Sequence, residues 1–445
     1  MTSRRSALAA AARTAGLAGV GALAALGLAG DGPRALWART GLTSQAVAFD
    51  GAAQPSGSVS RRTIREGELS ALVPRTRVLS SAPDADALAA ATDSFLTRTR
   101  LTPGPLGEEE LLISLDESAL LDVHSLTWGL PSPVAAWTPH WRYTWPRDAA
   151  HVIVALHERG ETAWALELLR GLAGLIREDG FFEARYVPGA ARVPDARPMQ
   201  LDGTGWFLWA ASSVQADAPD AAVARAVTLA TEALLRITEN PHRLPPPSPD
   251  YWEVRERRLT LATAAMTAAG LHASAAAGVA EAAVLTRAKE VTEAVLSEFG
   301  RRGFQRYTSG GGPDAGVLML LPPYLPEQVV AANPHLRSAV MNAYAAMQRP
   351  AGGVAPGAGW KRDGISWTPQ TAMFAQAYAH LGEEREAREV LRWLAHHRTA
   401  AGALPEKVLA TGEPAAVAPL AWTGSLVLSA LHKLTGSADT PSADQ

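Results

Sequence analysis

The stretch WRYTWPRDAAH, residues 141–151, places three aromatic rings, two arginines and an aspartate directly before an apolar helical pattern. Its proline suits the first turn of a helix, which predicts Arg147 and Asp148 at the helix entrance. A carboxylate there is stabilised by the helix dipole, and an Arg–Asp pair can bind adjacent hydroxyl groups. Tyr143 and Trp145 add flat apolar faces. The stretch therefore indicates a ligand site, with a structural ion pair among core tryptophans as the alternative.

From about residue 83 onward, apolar residues recur at helical spacing almost to the end of the chain. The spacing predicts about twelve helices, joined alternately by short turns and long loops. This alternation indicates an all-α (α/α)6 barrel, in which two rings of helices connect tightly on one face and by long loops on the other. A helical solenoid would show self-similarity at a fixed period, which the sequence does not have. The long loops, rich in aromatic residues, Pro, Gly and charge, are 128–147, 180–202, 240–257, 302–333, 349–367 and 399–416.

The N-terminus predicts export. Arg4 and Arg5 precede an apolar run at 16–30 that is short for a membrane span and typical of a signal sequence. The arginine pair resembles a twin-arginine signal, so a secreted or envelope-anchored protein is expected, with membrane contact only through this segment. A wrong start site or an alanine-rich tail is the alternative. The predicted segments are an export signal or anchor at 1–30, a linker or irregular lead-in at 31–82, the (α/α)6 domain at 83–436 and a disordered tail at 437–445.

Composition excludes several classes of protein. The 445 residues carry 41 basic and 44 acidic side chains without a clustered basic face, so no nucleic-acid partner is expected. The chain has no cysteine, which excludes disulfides, thiolate metal sites and cysteine nucleophiles. No spacing of histidines and carboxylates suggests a metal site, and neither a metal nor another cofactor is expected.

Two further loops carry candidate ligand-binding groups. The QLDG motif contributes Gln200 and Asp202, although Asp202 also suits the N-cap of the helix that follows. The DYWE motif contributes Trp252 and Glu253. A carboxyl group beside aromatic rings is partly desolvated, which favours its protonated form and suits a general acid. A surface glutamate within a charged run is the alternative for Glu253.

The last two long loops repeat this chemistry. The motif GWKRDGISWTP contributes Trp360, Lys361 and Arg362, which could equally form a solvated charged loop. LPEK contributes Glu406 and PLAWT contributes Trp422, with a solvated turn as the alternative for Glu406. Acids, arginines and tryptophans thus occupy five of the six long loops, without a nucleophile–His–Asp set. Two carboxyl groups among aromatic platforms are typical of glycoside hydrolysis.

Five motifs in register resemble glycoside hydrolase family 15, the glucoamylase-like family. They are WRYTWPRDAA, QLDG, DYWE, GWKRDGISWTP, and LPEK followed by PLAWT, and the resemblance covers residues 108 to 434. It implies an (α/α)6 barrel that acts on an α-linked gluco-oligosaccharide or disaccharide. The implied reaction is inverting and exo-acting, from the non-reducing end, and needs no cofactor.

The resemblance also implies roles for individual residues. Arg147 and Asp148 match the positions that bind hydroxyl groups of the terminal sugar. Glu253 matches the general acid, and Glu406 matches the general base that activates water. Tyr143, Trp145, Gln200, Asp202, Trp252, Trp360 and Trp422 are expected to contact substrate alongside them.

The chain departs from the family's pattern in three places. Lys361 or Arg362 stands for the arginine of the subsite loop, and Val254 stands where many members have a second acid. The segment ahead of residue 108 is too short for the N-terminal β-sandwich of many bacterial members. Two other functions therefore stay open: an inverting disaccharide phosphorylase on the same barrel, and a non-catalytic carbohydrate-binding protein of the cell envelope. A helical scaffold without a ligand is the plainest alternative.

Overall fold

The computed structural model describes residues 41–53, 59–101 and 109–436. The predicted export signal or anchor at 1–30 and the predicted tail at 437–445 lie outside these ranges. Within them, no helix is both long enough and apolar enough to span a bilayer.

A β-hairpin occupies the lead-in that the sequence leaves irregular or short-stranded. Strand β1 (Ala46–Ala53) pairs antiparallel with β2 (Val59–Ile64), and a short 3₁₀ helix (Glu66–Ala71) follows. The first half of β1, residues 46–49, is completely buried on both faces, Val47 and Phe49 included. The hairpin is therefore packed structure, not a free linker.

Thirteen α-helices follow among the described residues, and twelve of them match the helical spacing of the sequence. The exception is a six-residue helix, α9, inside the predicted long loop 302–333. In chain order the helices are α1 Ala85–Thr99, α2 Glu110–Thr127, α3 Pro146–Glu158, α4 Thr162–Ala173, α5 Asp202–Gln215, α6 Ala221–Ile237, α7 Leu261–Ala276, α8 Glu281–Gly300, α9 Glu327–Ala332, α10 His335–Met347, α11 Thr368–His380, α12 Glu384–His396 and α13 Ala421–Gly436.

Six elements pack side by side into a closed inner ring. Helices α3, α5 and α7 follow one another, and α7 packs on a six-residue 3₁₀ helix, Ala315–Leu320. That short element packs on α11, α11 packs on α13, and α13 returns to α3. Helices α4, α6, α8, α10, α12 and α2 form the outer ring. The architecture is the predicted all-α (α/α)6 barrel, with its fourth inner element shortened.

The inner and outer rings of helices differ in sequence, and this difference matches the difference in their burial. The inner helix α7, LATAAMTAAGLHASAA, has small or apolar residues on nearly all sides and is buried along almost its whole length. The outer helix α12, EREAREVLRWLAH, buries only one stripe of apolar residues and turns its charges outward. Such contrasting patterns are expected for a buried and an amphipathic helix.

Short strands lie within three of the long loops. Strands β3 (Gln305–Tyr307) and β4 (Gly310–Pro313) form a hairpin ahead of the short inner element. Strands β5 (Ser366–Trp367), β6 (Lys407–Val408) and β7 (Pro414–Ala415) form a small antiparallel sheet. This sheet joins the last two long loops at the mouth of the barrel.

Helices α5 and α7 approach each other through glycine. A Cβ atom at Gly205 would lie 2.2 Å from the carbonyl oxygen of Met266, so Gly205→Ala must push the two inner helices apart. We expect this variant to lose about 1–3 kcal/mol of unfolding free energy, the usual cost of overpacking, measured by urea denaturation. Gly203→Ala on the same helix is the matched control, because its Cβ would make ordinary contacts at 3.5 Å. Equal stability of the two variants would contradict the close packing.

Candidate active site

The stretch before α3 is tied to two neighbouring segments by its backbone. Thr144 exchanges two hydrogen bonds of 2.9 Å with Tyr186, and the amide of Ala135 donates to the carbonyl of Tyr143. The amide of Ala421, the first residue of α13, donates to the carbonyl of Ala135 at 2.9 Å. The aromatic stretch is thereby fixed against the loop 180–202 and against α13.

Arg147 and Asp148 lie in the first turn of α3, as predicted from the preceding proline. Both are buried, and Arg147 Nη2 lies 2.9 Å from Asp148 Oδ2. The guanidinium of Arg147 lies 4.1 Å from the ring of Trp422, and its Nε and Nη1 have no hydrogen-bond partner within the protein. Burial raises the pKa of Asp148, which Arg147 only partly offsets. The pair thus keeps donors available for a polar ligand.

Asp202 lies at the start of α5 but does not cap it. The N-cap position is Leu201, and the Asp202 carboxylate instead accepts a hydrogen bond of 3.3 Å from Trp206 Nε1. Burial raises the pKa of Asp202 to about 7, although the positive charge of Arg147 lowers it. Gln200, also buried, donates to the carbonyl of Asp250 at 3.4 Å.

Glu253 is held in a constrained conformation. Its φ of 53° is in the left-handed region, which costs a non-glycine residue roughly 1–2 kcal/mol and is over-represented at functional positions. Its amide donates to Asp250 at 2.7 Å, and its Oε2 accepts a bond of 2.6 Å from Arg197 Nη1. Besides burial, the charge of Glu253 raises the pKa of Asp148. Glu253 is therefore near enough to the Arg147–Asp148 pair for its charge to act on both residues.

A buried arginine that sequence reasoning missed organises the loop of Glu253. Arg306, almost fully buried, pairs with Asp250 at 2.9 Å, Glu256 at 2.7 Å and Asp314 at 3.2 Å. Its guanidinium also lies 3.7 Å from the ring of Trp252. Burial lowers the pKa of Arg306, but the surrounding carboxylates more than compensate and raise it. No local sequence pattern marks these residues, because they lie on two different loops.

Aromatic rings continue from this network across the mouth of the barrel. Tyr251 donates a hydrogen bond to Asp314 and lies with its ring 6.4 Å from that of Trp422. Trp252 contacts Trp360 edge-on at 4.8 Å, and Trp360 contacts Trp367 edge-on at 5.6 Å. The predicted platforms at 252, 360 and 422 therefore belong to connected aromatic surfaces.

Glu406 is buried just ahead of β6. Its amide donates to the carbonyl of Val417 at 2.8 Å, and its own carbonyl accepts from the amide of Thr368 at 3.0 Å. The fully buried Lys407 places its Nζ 3.4 Å from Glu406 Oε2 and 4.4 Å from the ring of Trp367. Glu406 is therefore not the solvated turn residue that the sequence also allowed.

Thr368 connects the Glu406 loop to α13. Its Oγ1 lies 2.8 Å from Oγ1 of Thr423, the residue after Trp422. The charge of Glu253 acts on Arg147, whose guanidinium lies against Trp422, so the loops of Glu253 and Glu406 both adjoin the Arg147–Trp422 contact.

Tyr143 and Trp145 lie against arginines that sequence reasoning also missed. The guanidinium of Arg185 lies 4.5 Å from the Tyr143 ring and 4.9 Å from the Trp145 ring. Arg197, the partner of Glu253, lies 5.9 Å from Trp145, and both arginines pair with Asp195. These contacts link the aromatic stretch before α3 to the Glu253 carboxylate.

Lys361 and Arg362 are exposed, in contrast to the buried Trp360 that precedes them. Lys361 Nζ lies 5.8 Å from the ring of Trp360. The two cations are thus on the solvent side of this aromatic surface, outside the buried Arg147–Asp148 pocket.

Several buried polar atoms around these residues have no hydrogen-bond partner within the protein, which is uncommon in folded proteins and typical of a site for a polar ligand. In the described part of the chain, no group of three or more His, Asp or Glu side chains is placed to hold a metal ion. The unpartnered atoms near the site are Nε1 of Trp145, Trp252, Trp367 and Trp422, Oε1 of Gln370 and Oε2 of Glu406.

Known structures share this fold. A glycosidase in complex with glucose matches with a TM-score of 0.63 at 19% identity, over 74% of this chain and 98% of its own. A glucoamylase from Saccharomycopsis fibuligera matches at 0.58 and 13% identity, over 75% and 96% of the two chains. A bacterial glucoamylase complexed with acarbose matches at 0.58 and 15% identity, over 79% of this chain and 59% of that one. No protein-family profile and no curated protein matches the sequence. The chain has the glucoamylase-like six-hairpin fold.

The raised pKa of Asp202 has a measurable effect on stability. The folded state keeps this proton up to a pKa of about 7, whereas an unfolded aspartate loses it near pH ~4. The folded state thus binds more protons in this window, and unfolding free energy falls as pH rises through it. We expect urea titrations to show that wild type loses stability relative to Asp202→Asn from about pH 4 to about pH 7.

The exposed Asp363 provides the control for that measurement. Asp363→Asn should follow the wild-type pH dependence across the window. Parallel curves for wild type and Asp202→Asn would show that Asp202 gives up its proton as readily in the folded state as in the unfolded one.

Proposed function

We propose that this protein is an exo-acting, inverting glycoside hydrolase that cleaves α-glucosidic bonds from the non-reducing end of oligosaccharides. The observation that supports the proposal is that the loops of two carboxyl groups adjoin the Arg147–Trp422 contact: the charge of Glu253 acts on Arg147, and the loop of Glu406 is bonded through Thr368 to the residue after Trp422. Two carboxyl groups on opposite sides of the scissile bond are the requirement of this chemistry.

Glu253 acts as general acid and Glu406 as general base. Glu253 Oε2 is bound to Arg197, so its other oxygen protonates the glycosidic oxygen as the bond to C1 breaks. Glu406 removes a proton from the water that attacks C1 from the opposite face, which inverts the anomeric configuration. An inverting pair needs about 6.5–9.5 Å between the two carboxyl groups to hold that water.

The base must be a carboxylate, and the structure supports this role for Glu406. Lys407 places a buried positive charge 3.4 Å from Oε2, which stabilises negative charge in a site shielded from water. Oε2 makes no hydrogen bond within the protein and can accept one from a water molecule. After the reaction Glu406 holds the water's proton and Glu253 is ionised, so one proton must pass back to solvent and one return.

Recognition of a chain end follows from the buried ion pair. Arg147 Nε and Nη1 and the Asp148 carboxylate offer donors and acceptors to vicinal hydroxyl groups, which a terminal sugar has and an internal sugar has partly substituted. Tyr251 and Trp422 supply apolar surface beside them. Two of the matching structures are complexes with glucose and with acarbose, which supports a sugar of this class as the ligand.

A non-catalytic carbohydrate-binding protein is the second candidate. Val254, where many family members have a second acid, favours it. An inverting phosphorylase would use phosphate in place of the activated water, and the buried Glu406 beside Lys407 argues against it. We also propose export through the segment 1–30, tested by whether that segment directs a reporter out of the cell.

Removing either carboxyl group tests the two roles. We expect Glu253→Gln and Glu406→Gln each to lower kcat by about 10²–10⁴-fold with the fold retained, because a positioned acid or base contributes that much. Initial rates of glucose release and circular dichroism are the measurements. Glu413→Gln is the matched control, since Glu413 is exposed and follows Glu406 on the same loop. Near-wild-type turnover in either active-site variant would remove that residue from the mechanism.

The product's configuration tests the stereochemistry and the substrate together. Purified protein is given maltose, maltotriose, isomaltose, trehalose or starch, and released sugar is followed by proton NMR. We expect β-glucose to appear first from at least one substrate, which also identifies the linkage. Initial α-glucose would contradict inversion, and sugar binding without release from any substrate would favour the binding-protein function.

A further inference from the structure

His151 lies directly beneath the Arg147–Asp148 pair, one helical turn further along α3. Its ring is almost fully buried and is surrounded by Trp206 at 4.8 Å, Trp209 at 5.1 Å and Trp422 at 5.9 Å between ring centres. Trp206 bonds the Asp202 carboxylate, and Trp422 lies against Arg147. His151 therefore contacts the two rings, Trp206 and Trp422, that support Asp202 and Arg147.

The hydrogen bonds of His151 determine which nitrogen carries its proton. Nδ1 lies 2.9 Å from the carbonyl oxygen of Arg147, and Nε2 lies 3.1 Å from the hydroxyl of Tyr324. A carbonyl only accepts, so Nδ1 must donate. Burial lowers the pKa of His151 to about 3, so the ring is neutral at physiological pH and Nε2 must accept the hydroxyl proton of Tyr324.

Gln376 completes a string of three hydrogen bonds that are all donated in the same direction. Its amide oxygen lies 2.7 Å from the Tyr324 hydroxyl, whose single proton is already given to His151. We therefore infer that the amide is turned over, with its Nε2–H toward the phenol, because the two ends of an amide are nearly identical in shape. Donation then runs from Gln376 to Tyr324, to His151 and to the carbonyl of Arg147. The string crosses the barrel from α11 to α3.

We propose that His151, oriented by Tyr324 and Gln376, is a positioning residue that holds Arg147 and Trp422 in place for the terminal sugar. The proposal rests on the proposed function. The carbonyl of Arg147 also accepts the helical bond from the amide of His151, so two donors hold the first turn of α3. Arg147 projects from that turn, and the same imidazole supports the ring of Trp422. A neutral ring serves this purpose because a cation would be repelled by Arg147.

Deleting one oxygen atom tests the string. In Tyr324→Phe the His151 ring loses the bond that orients it while the aromatic packing remains. We expect kcat/KM for the best substrate to fall by about 10–100-fold, because small displacements of a binding group cost that much. Inhibition by glucose should weaken in parallel. Tyr378→Phe, a buried phenol on α11 that packs elsewhere, is the matched control and should keep wild-type kinetics.

A double-mutant cycle shows whether the residues act together. His151→Phe keeps a ring in the aromatic cluster but removes both hydrogen bonds. Adding Tyr324→Phe to His151→Phe should cause little further loss in kcat/KM, since the bond it deletes is already gone. Fully multiplicative losses would show that the two side chains act independently and would overturn the string.

Nuclear magnetic resonance provides a readout that does not need activity. In the folded protein, nitrogen spectra should show His151 protonated at Nδ1 only. The Nε–H signal of Arg147 is assigned by its loss in Arg147→Lys. This signal should shift in Tyr324→Phe but not in Tyr378→Phe. An Nε2-protonated ring, or a variant with lower melting temperature but unchanged Arg147 signal and kinetics, would overturn the proposal. If wild type hydrolyses no glycan, the proposed function fails, and the Arg147 signal still decides the positioning role.

Discussion

The burial of an ion pair at the start of α3 shapes this molecule more than any other interaction. Taking Arg147 and Asp148 out of water is costly, and their mutual attraction alone does not repay it. For Arg147, further compensation comes from other elements: the ring of Trp422 and the carboxyl groups of Glu253 and Asp202. The inner ring of helices brings these groups together, so the packing that forms the barrel also forms the surroundings of the ion pair.

The two candidate acids are held by different physical means. Glu253 is partly exposed, strained in its backbone and bound by Arg197, on a loop anchored through Arg306. Glu406 is buried on a small sheet next to Lys407. One carboxyl group is partly open to solvent, and the other lies beside a buried cation in the interior. This difference suits opposite roles better than two equivalent glutamates would.

Local patterns predicted the helices and the position of Arg147 at a helix entrance, because helical spacing and a first-turn proline act over a few residues. They did not predict Arg306, whose partner Asp250 is 56 positions away, or Arg197 beside Glu253. Contacts between loops depend on how the barrel closes, which no single stretch encodes. The shortened inner element was assigned to a loop for a related reason: AGVLML is too short to show a helical period, and its burial comes from neighbours.

The short 3₁₀ element, Ala315–Leu320, has a consequence for the interior of the barrel. Because the fourth inner element ends at Leu320, the chain turns inward there, and the buried ring of Tyr324 packs with Trp206 and Trp209 beneath the ion pair. Together with the ring of His151, these side chains fill the interior of the barrel at this depth. Under the proposed hydrolysis, these rings would limit how far a chain end can enter beyond the ion pair, so that only a terminal sugar reaches Arg147 and Asp148.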